Sequence, residues 1–214
     1  MKNPIVKICG ITSVKDALML SDFPISIIGL NFIERSKRKI DLSTAKKIIK
    51  ELPISIGAVL VLEDKKIKTV IDLCNSLSTS NVQLHGNESP EYCKELKSKK
   101  KNIKIIKALK AEKETIEKLN SYEKVCDFIL LDSANSKNQM GGTGKPADWK
   151  IARKIVKKSK LPVILAGGLN PENIKEAIKK VKPYAIDVNS GIESRVGKKN
   201  KGLIENLFQE IDHI

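Results

Sequence analysis

Apolar residues fall along this chain in short continuous runs, each followed by a stretch with helical spacing. The first run, Ile5-Val6-Lys7-Ile8, ends abruptly in Cys9-Gly10-Ile11-Thr12. Thr12 or Ser13 can then cap a helix whose Val14, Ala17, Leu18 and Leu20 form one apolar stripe. The runs Ile25 to Phe32 and Ile54 to Leu62 repeat the theme, the first closing on Asn31 and leading to a helix begun by Asp41 or Ser43, the second to a helix over Lys66 to Leu77. Val82-Gln83-Leu84 runs into His85-Gly86, after which Ser89-Pro90-Glu91 opens a helix with proline in its first turn. Ile103 to Leu109 precedes a helix from Glu112, Phe128 to Leu131 closes on Asp132-Ser133, and Pro162 to Ala166 closes on Gly167-Gly168 with Asn170-Pro171 as the next helix start. The last run, Tyr184 to Val188, ends in Asn189-Ser190-Gly191, and Leu203 to Ile211 supplies the final helix.

These strands are apolar on both faces rather than alternating, the pattern of a parallel sheet covered by helices. Eight strand–helix units in order predict a closed α/β barrel, a single-domain (β/α)8 TIM barrel over residues 1–214. An open doubly wound sheet would show a glycine-rich phosphate fingerprint after its first strand, and none is present. No Pro-rich, Gly/Ser-rich or like-charge block is long enough to divide the chain.

Charge changes this picture little. The formal charge is +15, almost wholly from lysine, since arginine stands only at 35, 38, 153 and 195. Lysines recur through every predicted helix and aromatics make up 4% of the chain, which reads as a solvated basic surface rather than a nucleic-acid patch. Cys9, Cys74, Cys93 and Cys126 form no CxxC pair and have no zinc-type histidine spacing, so no metal site or disulfide framework is predicted, in keeping with a reducing cytoplasm. No leader or membrane segment is expected.

In a parallel barrel the C-terminal strand ends converge on one mouth, which would gather Cys9, Asn31, Gln83, His85, Asp132, Asp187 and Ser190. Gly167-Gly168 and Ser190-Gly191 close strands seven and eight, the usual place for a phosphate cradle of backbone N–H groups. The residues alone leave Cys9 open as a buried structural thiol or a reactive one. Asp132 is open as a turn cap or a mouth residue, and His85 as a structural hydrogen bonder. Ala134 to Pro146, with Gly141-Gly142-Thr143-Gly144, reads as a long loop of the functional kind.

The segments Lys7-Ile8-Cys9-Gly10-Ile11-Thr12, Val82-Gln83-Leu84-His85-Gly86, Leu131-Asp132-Ser133, Gly141-Gly142-Thr143-Gly144, Leu165-Ala166-Gly167-Gly168-Leu169 and Asp187-Val188-Asn189-Ser190-Gly191-Ile192-Glu193 together resemble the phosphoribosylanthranilate isomerases of tryptophan biosynthesis. The resemblance implies an Amadori rearrangement of a phosphoribosyl aminoaldose to an aminoketose, with no cofactor and no metal. It implies Asp132 as the acid that opens the ribose ring and Cys9 as the base that takes the C2 proton. It also implies Arg38 as the partner of the anthranilate carboxylate, with Arg35 a poorer substitute, and a phosphate resting on Gly167, Gly168, Ser190 and Gly191 with Gly144 nearby.

Three positions depart from the family pattern. Gly57-Ala58-Val59-Leu60 lacks the usual third-strand aromatic, Asn189 replaces a serine, and Gly197-Lys198-Lys199-Asn200 has asparagine where aspartate is usual. The sister isomerase of histidine biosynthesis and a phosphate-binding barrel without turnover are the alternatives. The former would place an aspartate at the end of strand one, and the presence of both Cys9 and Asp132 weighs against the latter. The expected partner is a small phosphorylated substrate, not nucleic acid or membrane, for a monomer or homodimer.

Overall fold

The apolar runs form eight parallel strands that close on themselves: β1 Ile5–Ile8, β2 Ile27–Asn31, β3 Gly57–Leu62, β4 Asn81–Leu84, β5 Lys104–Lys110, β6 Phe128–Asp132, β7 Val163–Ala166 and β8 Ala185–Val188. β1 pairs with β2 on one side and β8 on the other, which shuts the ring and excludes the open sheet. The computed structural model describes residues 3–132 and 149–213. The glycine-rich stretch with Gly144, together with Ser133 and the helix start expected at Asp148, lies outside the described residues.

Helices α1 Val14–Met19, α2 Leu42–Glu51, α3 Ile67–Ser76, α4 Pro90–Lys99, α5 Lys113–Glu123, α6 Trp149–Lys158, α7 Ile174–Val181 and α8 Lys201–Asp212 cover the ring. Four of their starts follow capping chemistry. The side chains of Ser13, Asp41, Ser89 and Asn200 accept from the N–H groups of Asp16, Thr44, Tyr92 and Leu203, and Pro90 sits in the first turn of α4. Lys97 and Lys99 end α4, and Lys157 and Lys158 end α6, where cations suit the macrodipole.

Each strand is buried on both faces, which explains the continuous runs. In β3, Ala58, Leu60 and Leu62 pack outward into the large layer between barrel and helices, while Val59 joins Ile106, Ala108, Leu130, Ile164, Ala166 and Ala185 inside the barrel. Each fully buried Leu or Ile of these layers contributes about 1.5–3 kcal/mol.

Four expectations need correction. Ile54 is not in strand three: Ile56 N–H donates to the Pro53 carbonyl in a turn, β3 begins at Gly57, and Ile54 is fully exposed. The regular turns of α7 begin at Ile174 rather than at Pro171. Asn170 and Asn173 hold each other through reciprocal side-chain to backbone bonds, the capping-box pattern, and Ile174 N–H donates to the Asn170 carbonyl where the helix takes over. After β8 a three-residue 3-10 turn, Ser190–Ile192, leads into a hairpin of β9 Glu193–Arg195 and β10 Lys198–Lys199, which the polar sequence did not suggest. Nor are all the lysines solvated, for Lys7, Lys107 and Lys199 are buried. Lys107 lies outside the ring, where its Nζ donates to the carbonyls of Leu84 and Gly86 and to Glu88 Oε2, tying down the loop after β4. Among the described residues, no helix is long and apolar enough to cross a membrane and no cluster of three or more His, Cys, Asp or Glu is placed to hold a metal.

Candidate active site

Cys9 follows the last residue of β1, where its N–H donates to the Val188 carbonyl of β8 at 2.9 Å. It is buried, with Ile33 and Val61 as its apolar neighbours. Burial pushes the Cys9 thiol up, against the opposing pull of the Lys7 ammonium. Gly10 comes next with φ +71°, a conformation in which L side chains are strained. A Cβ there would lie 2.6 Å from both Arg38 Cδ and Asn189 Oδ1. The glycine therefore lets Arg38 cross the end of β1 directly beside Cys9.

Arg38 is carried by the loop after β2, and Asn31 builds that loop. Asn31 Oδ1 accepts from Ile33 N–H at 2.8 Å, its carbonyl accepts from Ile40 N–H, and Ser36 Oγ accepts from Arg38 N–H at 3.1 Å. Asn31 thus acts as a loop support in the mouth wall. The guanidinium of Arg38 makes a two-pronged contact with Glu193, Nε to Oε1 at 2.8 Å and Nη2 to Oε2 at 2.6 Å. Behind it Lys199 Nζ donates to Glu193 Oε1 and to both oxygens of Asn189 at 2.9–3.0 Å. Burial disfavours the Glu193 charge, yet Arg38 and Lys199 outweigh it and hold the carboxyl below its ordinary range. Arg35 instead pairs with Glu63 at an exposed position.

The opposite wall is built from β4 and β6. Gln83 Nε2, a donor only, lies 2.8 Å from His85 Nδ1, so Nδ1 accepts and the neutral ring carries its proton on Nε2. That Nε2 faces Asp132 Oδ2 at 3.6 Å, and both side chains are about one third exposed toward the mouth. Gln83 Oε1 and Asp187 Oδ1 are buried acceptors without a hydrogen-bond donor among the described residues. The other oxygen of Asp187, Oδ2, accepts from Lys7 Nζ at 2.6 Å.

The third wall follows β7 and β8. Gly167 and Gly168 both take positive φ, +91° and +65°, and the carbonyl of Gly168 accepts from Asn173 Nδ2. Gly191 presses on the Leu169 carbonyl and on Asn170, too close for any Cβ, so the loops after β7 and β8 meet there beside Ser190.

The structure thus gathers Cys9, Arg38, Asn31, Gln83, His85, Asp132, Asp187, Gly167, Gly168, Ser190 and Gly191 at the C-terminal end of the ring, and Gly144 lies outside the described residues. Sequence reasoning missed Lys7, Glu193 and Lys199. For Lys7 the signal was present: a lysine in the middle of an apolar strand is rarely left unpaired.

A family model described as N-(5'phosphoribosyl)anthranilate (PRA) isomerase matches residues 6–210. The N-(5'-phosphoribosyl)anthranilate isomerase of Methanocella arvoryzae is 38% identical over 208 residues, covering 96% of this chain and 97% of that protein. A crystal structure of phosphoribosyl anthranilate isomerase in complex with reduced 1-(o-carboxyphenylamino)-1-deoxyribulose 5-phosphate superposes with a TM-score of 0.84 at 32% identity, covering 99% of this chain and 100% of that one. A Thermotoga maritima structure, described as of monomers generated from a dimeric phosphoribosylanthranilate isomerase, has the same TM-score of 0.84 at 30% identity, covering 99% of this chain and 100% of that one. With matches that run nearly end to end over a closed eight-stranded barrel, the chain belongs to the N-(5'-phosphoribosyl)anthranilate isomerase family.

Proposed function

We propose that Cys9 and Asp132 divide the proton transfers of the family's reaction, Cys9 as general base and Asp132 as general acid. The reaction is the isomerisation of N-(5-phosphoribosyl)anthranilate to 1-(2-carboxyphenylamino)-1-deoxyribulose 5-phosphate, a step of tryptophan biosynthesis. Asp132 protonates the furanose oxygen, and the ring opens to an iminium. Cys9 then removes the C2 proton, leaving an enolamine that tautomerises to the ketone. β1 and β6 lie well apart around the ring, so the two groups enter the mouth from different sides. His85 stands beside Asp132 and is oriented by Gln83.

One observation carries the reading: Arg38 crosses Gly10 immediately beside Cys9. The anthranilate carboxylate is ortho to the nitrogen on C1, so an arginine that holds the carboxylate brings C2 close to the neighbouring sulfur. The left-handed pair Gly167-Gly168 and the tight Ser190-Gly191 turn support a backbone cradle for the 5-phosphate. Asp187 Oδ1 and Gln83 Oε1 supply acceptors for sugar hydroxyls.

Mixing the purified protein with phosphoribosylanthranilate and following the loss of substrate fluorescence tests the reading. Cys9→Ala should lose at least ~10²-fold in turnover while still binding a reduced product analogue. Near-normal turnover would remove Cys9 from the mechanism, and no turnover by the wild type would favour a binding barrel.

For assembly the reading is a homodimer. The Thermotoga maritima relative is described as dimeric. At the opposite end of this barrel from Cys9, a cavity of about 580 Å³ is lined by Ile27, Gly57, Val59, Ile106, Phe128 and Leu161 together with the polar Asn81, Lys104 and Asp127, and the exposed Ile54 stands three residues before Gly57.

A further inference from the structure

A charged residue interrupts β1 where every neighbour is apolar. Lys7 is completely buried, faces inward, and stands two residues before Cys9. The register sets it level with Asp187 of β8, and its Nζ donates to Asp187 Oδ2 at 2.6 Å. On the other side β2 presents Gly29. A Cβ there would lie 2.6 Å from Cys9 Sγ and 3.2 Å from Lys7 Nζ. The ammonium and the sulfur therefore converge over the one residue of β2 that has no side chain.

We propose that Lys7 is a positioning residue for Cys9: its buried ammonium, shared between Asp187 Oδ2 and the Cys9 sulfur, is the counter-ion of the Cys9 thiolate, and Asp187 competes for it. The proposal rests on the reading of Cys9 as general base and supplies what that reading needs, a reason for a buried thiol to ionise. Ionisation releases one proton to solvent and breaks no other bond.

The charges around the sulfur come from four elements. Lys7 lies on its own strand, Asp187 on β8, Lys199 on β10, and Arg38, backed by Glu193, on the loop after β2. Burial is the largest influence on Cys9 and favours the thiol. Lys7 is the strongest influence against it, Asp187 sides with burial, and Lys199 sides with Lys7. Lys7 itself stays charged, because Asp187 and the sulfur together outweigh its burial.

Two substitutions should therefore act in opposite directions. Lys7→Met keeps the volume and removes the counter-ion, whereas Asp187→Asn frees the ammonium for the sulfur. The readout is alkylation of Cys9 by iodoacetamide in the full-length protein from about pH 5 to about pH 10, followed by mass spectrometry of the Cys9 peptide. The midpoint of the rate profile should move up by at least about one pH unit in Lys7→Met and down by a similar amount in Asp187→Asn. Unchanged midpoints, or shifts in the same direction as a loosened barrel would give, overturn the proposal. Should Lys7→Met fail to fold, Asp187→Asn decides alone: a downward shift supports the proposal and any other result overturns it. Alkylation is independent of turnover, so opposite shifts combined with an active Cys9→Ala would remove the base assignment and leave the pairing of Lys7 with Cys9 standing.

Discussion

Arg38 gains its geometry from Glu193 and Lys199. A guanidinium held on its Nε edge by one carboxylate keeps its other N–H groups in a fixed plane, ready for a second carboxylate. Glu193→Gln should therefore raise KM roughly tenfold, about 1.4 kcal/mol, with kcat little changed. A fall in kcat at unchanged KM would show that Glu193 does not act through Arg38. The same residue carries a pH signature. Its pKa is depressed in the folded chain, so its stabilisation is fully present above the unfolded carboxylate value of about 4.3 and is lost as pH falls through the lower folded value. The gap in denaturation midpoint between wild type and Glu193→Gln should be largest near neutrality and shrink below about pH 4. At this scale the positions of Cys9, Asp132 and His85 were legible, because strand ends announce themselves, while the residues alone left their roles open. Glu193 and Lys199 were not, since each takes its meaning from partners that only the fold brings near: Arg38 lies far from Glu193 in sequence, and Lys199 reaches Glu193 and Asn189 through the hairpin.

Elements were legible wherever both faces of a strand are buried, because such strands leave uninterrupted apolar runs, and wherever a cap residue precedes a helix. They were not legible where polar pairing decides. β9 and β10 contain only Glu193, Ser194, Arg195, Lys198 and Lys199, with no apolar period to mark them. The Asn170-Pro171 start was legible as capping chemistry, which Asn170 and Asn173 exchange reciprocally, but the first regular turn of α7 comes only at Ile174. Asn200 is the informative contrast. It departs from the family's aspartate, yet its Oδ1 accepts from Leu203 N–H at 3.1 Å, leaving α8 capped immediately after Lys199. Asn200→Ala should destabilise the protein by about 1 kcal/mol in urea denaturation, and Asn200→Asp by much less. Equal losses in both variants would mean that the cap is not what Asn200 contributes.

At the scale of the whole molecule the two ends of the barrel differ in kind. The C-terminal end collects charge and hydrogen-bonding groups, whereas the N-terminal end holds a cavity whose lining is mostly apolar but includes Asn81, Lys104 and Asp127. Phe128 packs against Tyr184 with ring centroids 6.1 Å apart, Tyr184 is half exposed, and Ile54 is fully exposed in the turn before β3, whose first residue Gly57 lines the cavity. A projection and a hollow on the same face suit an isologous contact, in which each copy supplies the projection for the other's hollow. A stable interface of this kind buries about 800 Å² on each partner with an apolar centre, and a two-fold contact places Ile54 near that centre twice. In sedimentation velocity the wild type should run at twice the chain mass of 23.7 kDa. Ile54→Asp should run at the single-chain mass, because burying an unpaired carboxylate at both symmetry-related positions costs several kcal/mol. Turnover of that variant should persist, since the site lies at the other end of the ring. A wild type that sediments as a single chain at micromolar concentration would refute the contact, and an Ile54→Asp dimer would move it to another face.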